Sequence, residues 1–200
     1  MRGLTVTGQP VLLDSLWSPH SHRLGRTLLS MLLGSLLLWA SARLQIPFYP
    51  VPLTLQTLVV LGLGLVLGPA LGMATVGSYL LAGALGLPVF AGTPEKGIGL
   101  AYMMGPTGGY LLGFVLAAGV TGLLARRGWD RRVWTVVLAM VLGNLAIYLP
   151  GVLWLGVLIG WDKPVLQLGL FPFLLGDMVK IVVAAVAFPA LWRQLLTQSR

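Results

Sequence analysis

VVLGLGLVLGPALGMATVGSYLL, residues 59–81, decides how many times this chain crosses a bilayer. Read without interruption, it is one long apolar helix. Its middle, LGPALG (67–72), says otherwise, because Gly68 ends a helix and Pro69 suits the first turn of another. Two spans joined by a tight turn therefore replace one. The wider run around it, Leu44 to Pro94, holds no charged residue and has room for both. GLGLVLG (62–68) imitates a dinucleotide-binding fingerprint, yet no strand precedes it and no acid follows at the needed distance, so its glycines read as packing residues.

Working outward, Gly97–Ala125 and Val133–Trp161 are likewise uncharged and supply one span each, while 23–42 supplies a first span and 171–192 a last one. The count is six helices, at approximately 24–42, 53–67, 70–87, 106–125, 132–157 and 171–195. The expected fold class is thus an all-α integral membrane protein, a compact bundle of six transmembrane helices. Residues 23–200 form its single domain and residues 1–22 a lead-in. The lead-in has no apolar run fit for a signal peptide, and PVLLDSLW (10–17) reads as a loose segment or at most a short surface helix.

Composition agrees. Of 200 residues, 57% are hydrophobic and 9% charged, and mean hydropathy is +0.91, where a soluble domain carries roughly a quarter charged residues. Cysteine is absent, which excludes disulfides and thiolate chemistry. The net charge of +8 does not indicate nucleic acid, because the cations sit at span ends. Six spans place Arg2, Arg23, Arg26, Arg126, Arg127, Arg131, Arg132, Arg193 and Arg200 on one side, against Arg43, Lys96 and Lys163 on the other. By the positive-inside rule both termini are cytoplasmic. His20 and His22 have no companion ligands, and no metal site is expected.

Small residues recur every four positions in the fourth span (Gly105, Gly109, Gly113, Ala117, Thr121, Ala125) and the third (Ala74, Ser78, Ala82, Gly86). Such stripes let backbones approach in lipid. Ser30 and Gly34 form a further pair in the first span, serving either a neighbouring helix or a separate membrane protein.

The outer loops 43–52, 88–104 and 160–170 are rich in Gly and Pro, and the first two are too apolar to be solvated. They read as lids over a pocket. LLGDMVKIVVAA (174–185) points to the same pocket: Asp177 lies about 9 Å down the last span and shares a helix face with Lys180. A charge inside a bilayer costs at least ~2.5 kcal/mol, so the pair is either a structural ion pair or a polar clamp. An acceptor-only carboxylate beside a donor-only ammonium matches a ligand with N–H and C=O side by side, such as a cyclic urea or an amide. GPTGGY (105–110) opens the fourth span with free N–H groups, and Gly108 and Gly109 leave that end open for a carboxylate or serve packing. Lys96 adds a cation nearby or pairs with Glu95. Gln56 and Asn144 face the pocket or bond between helices. Tyr148 offers a stacking surface and a hydroxyl.

PVPLTLQTL (50–58), GALGLPVFAG (83–92), GPTGGYLLGF (105–114) and GDMVKIVVAA (176–185) occur in this order. The chain from about Ser30 to Leu195 thereby resembles the BioY family of biotin transporters, the substrate-binding S components of energy-coupling factor importers. The resemblance implies biotin held near the outer face of a bacterial plasma membrane protein. It implies partners as well: a transmembrane coupling subunit (T component) and two cytoplasmic ABC ATPase subunits, with docking through the first span, where Ser30 and Gly34 stand at positions often occupied by Ala. The resemblance maps the family's ligand-binding Asp and Lys onto Asp177 and Lys180; with the candidates read above, the expected biotin-binding set is Asp177, Lys180, Tyr148, Gly108, Gly109, Tyr110, Lys96 and Gln56. No Walker motif occurs, no catalytic constellation is evident, and no cofactor is implied, so an enzyme is not expected. A carrier for another small vitamin, within such a complex or alone, is the alternative.

Overall fold

The computed structural model describes residues 9–16 and 23–198; the expectations for Arg2, His20, His22 and Arg200 lie outside them. The elements are α1 (Leu12–Leu16), α2 (Arg23–Arg43), the two-residue strands β1 (Gln45–Ile46) and β2 (Leu53–Thr54), α3 (Gln56–Ala84), α4 (Gly99–Met103), α5 (Gly108–Ala125), a 3-10 turn (Trp129–Arg131), α6 (Val133–Ile159), α7 (Val165–Gly169) and α8 (Phe171–Gln198). Among the described residues, five stretches are long and apolar enough to cross a membrane, lying on α2, α3, α5, α6 and α7–α8.

α3 is folded back on itself. Gly68 leaves helical geometry with φ +77°, a conformation that a side chain would strain. Two distances prove the reversal. A Cβ on Gly72 would meet Gly64 Cα at 3.2 Å, and Gln56 Nε2 donates to the Tyr79 hydroxyl at 2.9 Å. At ~1.5 Å per residue a straight helix would hold both pairs far apart. The arms 56–67 and 69–84 are antiparallel neighbours, as LGPALG predicts.

The first arm starts at Gln56 rather than 53 because Leu53 and Thr54 pair with Ile46 and Gln45 in a small antiparallel ladder. α5 is the most buried long helix and α2 and α8 the least. The small-residue stripe of α5 faces inward: Gly109, Gly113, Ala117, Thr121 and Ala125 are all buried. A Cβ on Gly113 would press on Ile147 Cα at 2.7 Å, and one on Gly64 would overlap Thr121 and the Ala118 carbonyl. The stripe predicted for the third span meets α2 at Ser78, whose hydroxyl lies 3.1 Å from that of Ser35, and is corrected at Ala74. Ala74 is exposed, and the second arm instead buries Gly72, Thr75, Val76, Tyr79 and Gly83.

One end of the bundle, hereafter the turn end, gathers Gly68, the α5–α6 turn, the start of α2 and the end of α8. Gln9 N–H donates to the Arg126 carbonyl at 2.8 Å, Arg26 pairs with Asp14 at 3.0 Å, and Trp192 Nε1 donates to Asp130 Oδ2 at 2.6 Å. Both ends of the described chain therefore lie together. The part of the lead-in that is described is not loose. Val11, Leu12 and Leu13 are buried in the core.

Candidate functional site

The opposite end, the loop end, carries the connections 44–55, 85–107 and 160–170. Connection 85–107 folds inward. Phe90 is fully buried, stacks on Tyr102 at 4.9 Å and meets Tyr79 edge-on at 5.7 Å. Gly83 leaves the room, since a Cβ there would overlap the Phe90 ring. Arg43, from the end of α2, clasps the same connection, donating to the Pro88 and Thr93 carbonyls at 2.8 and 3.1 Å. Tyr79 in turn donates to Val89 O at 2.9 Å.

Beneath it lies a cavity of about 30 Å³ lined by Gln56, Thr57, Tyr110, Phe114, Tyr148, Phe173 and Lys180 among others. α8 brings Lys180 to this cavity and sets Asp177 beside it on the same helix face, where Asp177 borders the groove between α6 and α8. Asp177 is 4% exposed, and its Oδ1 accepts from Lys180 Nζ at 3.0 Å and from Thr57 Oγ1 at 3.3 Å. Lys180 Nζ also donates to Thr57 Oγ1 at 2.8 Å, and the Tyr148 hydroxyl donates to Asp177 Oδ2. Four side chains from α3, α6 and α8 thus form one closed network. A buried ion pair holds only when its remaining lone pairs and protons are also satisfied, and Thr57 and Tyr148 provide that. Three aromatic rings stand beside it: Tyr110 and Tyr148 meet edge-on at 6.5 Å, with Phe173 6.2 Å from each.

Asp177, Lys180, Tyr148, Tyr110 and Gln56 therefore come together, as the sequence suggests. Gln56 does two things at once, lining the cavity while its amide bonds Tyr79 across the hairpin. Gly108 and Gly109 do not reach the cavity. A Cβ on either would overlap the Met103 carbonyl or Trp154 and the Pro150 carbonyl, so this end of α5 is closed by packing on α6. Lys96 is exposed, lies outside the lining, and pairs with no carboxylate among the described residues. Asn144 makes no interhelical bond through its carbonyl: Oδ1 is buried without a partner among the described residues. It sits in an apolar groove of about 570 Å³ between α6 and α8. Ser30 and Gly34 face inward, Gly34 lying against Thr75 and Leu63 of the hairpin.

Thr57 was missed, together with the rings of Phe114 and Phe173. A signal existed for Thr57: an ionised carboxylate buried in a span needs more donors than one lysine supplies, and hydroxyls within spans are the first place to look.

The sequence profile of the BioY family matches residues 16–197. The chain is 42% identical over 145 residues to a probable biotin transporter BioY of Pyrococcus horikoshii, covering 72% of this chain and 83% of that protein. It is 41% identical over 150 residues to the biotin transporter BioY of Thermotoga maritima, covering 75% and 86%. Its fold matches the crystal structure of the S-component for biotin from an ECF-type ABC transporter with a TM-score of 0.70, at 23% identity over 88% of this chain and 95% of that one.

Proposed function

Because this chain belongs to the BioY family, we propose that it captures biotin at the loop end of its bundle and serves as the S component of an energy-coupling factor importer. The buried Asp177–Lys180 pair, with its aromatic wall, is the observation that carries this reading. Biotin presents ureido N–H groups beside a carbonyl, an apolar bicycle and a carboxylate tail. A ureido N–H donates to Asp177 Oδ1, Lys180 donates to the ureido oxygen, and the bicycle packs on Tyr110, Tyr148 and Phe173.

In the closed arrangement the acid and the amine satisfy each other, so binding is an exchange of partners rather than the filling of bare charges. Tyr148 keeps Asp177 Oδ2 occupied and the carboxylate oriented throughout. A ligand with only a donor or only an acceptor leaves one buried group unpaired, which is the basis of selectivity. A cavity of about 30 Å³ holds roughly one water. Biotin therefore enters when connection 85–107, held by Arg43 and Phe90, swings aside. We assign the carboxylate to Lys96, the exposed cation on that connection.

Reading the two arms of the Gly68 hairpin as separate passes brings the proposed count to six. The arginine-rich turn end is cytoplasmic and the loop end outward, so capture occurs from outside the plasma membrane of a bacterium. The chain is a transporter subunit and not an enzyme. Its transport energy comes from two ABC ATPases through the coupling subunit. Leu28, Leu32 and Leu36, exposed along α2, form the docking face, and the Ser30–Gly34 seam behind them seats α2 on the hairpin. Calorimetry of the purified protein with biotin, thiamine and riboflavin tests the proposal. Biotin should bind tightest, and a preference for either other vitamin would refute it.

A further inference from the structure

The turn between α5 and α6 reads RRGWDRR (126–132). A pocket of about 430 Å³ opens there, lined by Gln9, Arg127, Trp129, Arg131, Arg132 and Thr135 among others. Three of these side chains are cationic and none is acidic. Asp130, in the middle of the run, turns the other way: it is fully buried and accepts from Trp192 Nε1. Arg131 is held in place, its guanidinium 4.3 Å over the Trp192 ring and one nitrogen donating to the Pro10 carbonyl at 3.3 Å. Its Nε is buried with no partner among the described residues.

The source of the counter-charge follows from counting. This sequence has five acidic residues. Asp14 pairs with Arg26, Asp162 with Lys163 and Asp177 with Lys180. Asp130 is committed to Trp192, and Glu95 belongs to connection 85–107 at the other end. Residues 1–8, 17–22 and 199–200 contain no Asp or Glu. No acidic side chain of this sequence remains to sit among Arg127, Arg131 and Arg132, so an anion held between them comes from outside the chain.

The depth of the pocket selects the anion. Trp134, in the first turn of α6, is 80% exposed, and Leu138, Val141, Leu142 and Leu145 continue outward-facing along that helix. An exposed Trp at the start of an apolar span marks the boundary between head groups and acyl chains. The arginines just before it lie at head-group level, where the guanidinium fork matches phosphate oxygens two at a time.

We propose that this pocket binds the phosphate of an anionic phospholipid head group, gripped by Arg127, Arg131 and Arg132. A lipid seated there touches the α5–α6 turn and the Gln9–Pro10 segment together, and through Arg131 it reaches Trp192 of α8. It therefore stabilises the turn end as a unit.

The full chain in a neutral detergent, titrated with short-chain phosphatidylglycerol, phosphatidylcholine or inorganic phosphate, tests the site by thermal unfolding. Phosphatidylglycerol should raise the Tm saturably, while the other two leave it unchanged at matched concentration. Arg127→Gln with Arg132→Gln removes two exposed cations and should weaken that response at least tenfold, on the order of fivefold per cation. Lys163→Gln, at the other end, should not alter it. Equal responses to the two lipids, or a full response in the double variant, would overturn the site. A response to inorganic phosphate matching that to phosphatidylglycerol would make it a soluble-anion site and overturn the lipid assignment. Should the double variant not fold, native mass spectrometry of the unaltered protein from equal mixtures of the two lipids decides. Retained phosphatidylglycerol in excess supports the site, and equal retention refutes it.

Discussion

At the loop end, Asp177 and Lys180 lie 3.0 Å apart inside the bundle; at the turn end, Arg127, Arg131 and Arg132 share a pocket with no carboxylate. Both clusters draw on a chain with few acids, and they spend them differently. The first is neutral as a unit, so it tolerates burial and can trade partners with a neutral ligand that carries a donor and an acceptor. The second keeps its charge at the rim, where only an anion from outside offsets it. On the roles proposed above, a chain with thirteen cationic and five acidic residues reserves one acid for recognition inside the bundle and leaves its turn end to the membrane surface.

The sharpest way to break this contrast is to reverse the ends. A cysteine introduced at Lys163 should react completely with an impermeant thiol reagent applied from outside intact cells, and one at Arg127 not at all. The opposite pattern would exchange the two roles.

Next in size is the clamp. Asp177→Asn removes a charged acceptor worth about 1.5–3 kcal/mol, so biotin affinity should fall by roughly one to two orders of magnitude, and Lys180→Met should lower it as well. Affinity and thermal stability measured on the same preparations separate recognition from mere support. A folded, stable Asp177→Asn protein with normal affinity would leave the pair a structural bridge.

Gly34→Trp separates packing from docking. The side chain would be driven into Thr75 and Leu63, and overpacking of this kind costs typically 1–3 kcal/mol. Thermal stability should drop, and co-purification of the coupling subunit should be lost with it. Unchanged stability with docking lost would place Gly34 on the outer face after all.

Thr57→Val tests the residue that bridges acid and amine. One hydrogen-bonding hydroxyl contributes about 0.5–1.5 kcal/mol, so biotin binding should weaken roughly three- to tenfold. The smallest effect is expected at Asp130. Burial raises its carboxyl pKa above the usual carboxylate range, with the Trp192 hydrogen bond acting the other way. The folded state therefore holds this proton more tightly than the unfolded one. The contribution is present at low pH, below about pH 4, and is lost as pH rises through the raised value. Asp130→Asn keeps an oxygen for Trp192 and removes the titration, so Tm at neutral pH should hold or rise and its dependence on acid should flatten. A marked fall in Tm would show that the ionised form is the one the fold uses.

Much of this was legible beforehand because uncharged runs and charge-bearing turns mark span ends directly. The first span and the last three lie within three residues of expectation at either end. Asp177 and Lys180 stood out because charge in lipid demands a reason. What escaped notice depends on contacts distant in the chain. Thr57 meets Asp177 across 120 positions, and Asp130 meets Trp192 across 62, separations over which no periodicity carries information. Gly108, Gly109, Ser30 and Gly34 show the reverse problem. Small residues look alike whether they admit a ligand, a partner or the next helix, and here all four face the chain's own neighbours.

The reversal at Gly68 bears on how the protein enters the bilayer. At ~1.5 Å per residue, the arm 56–67 is about 18 Å long and the arm 69–84 about 24 Å, each shorter than a hydrocarbon layer roughly 30 Å thick, a mismatch that local thinning of the bilayer meets. Neither arm alone reaches the length of an ordinary span. We expect the two to enter the bilayer together as a hairpin, joined by the contacts Gln56–Tyr79 and Gly64–Gly72 of the finished fold. A side chain at position 68 would then act during biogenesis, by delaying that hairpin, before it ever affected the finished fold.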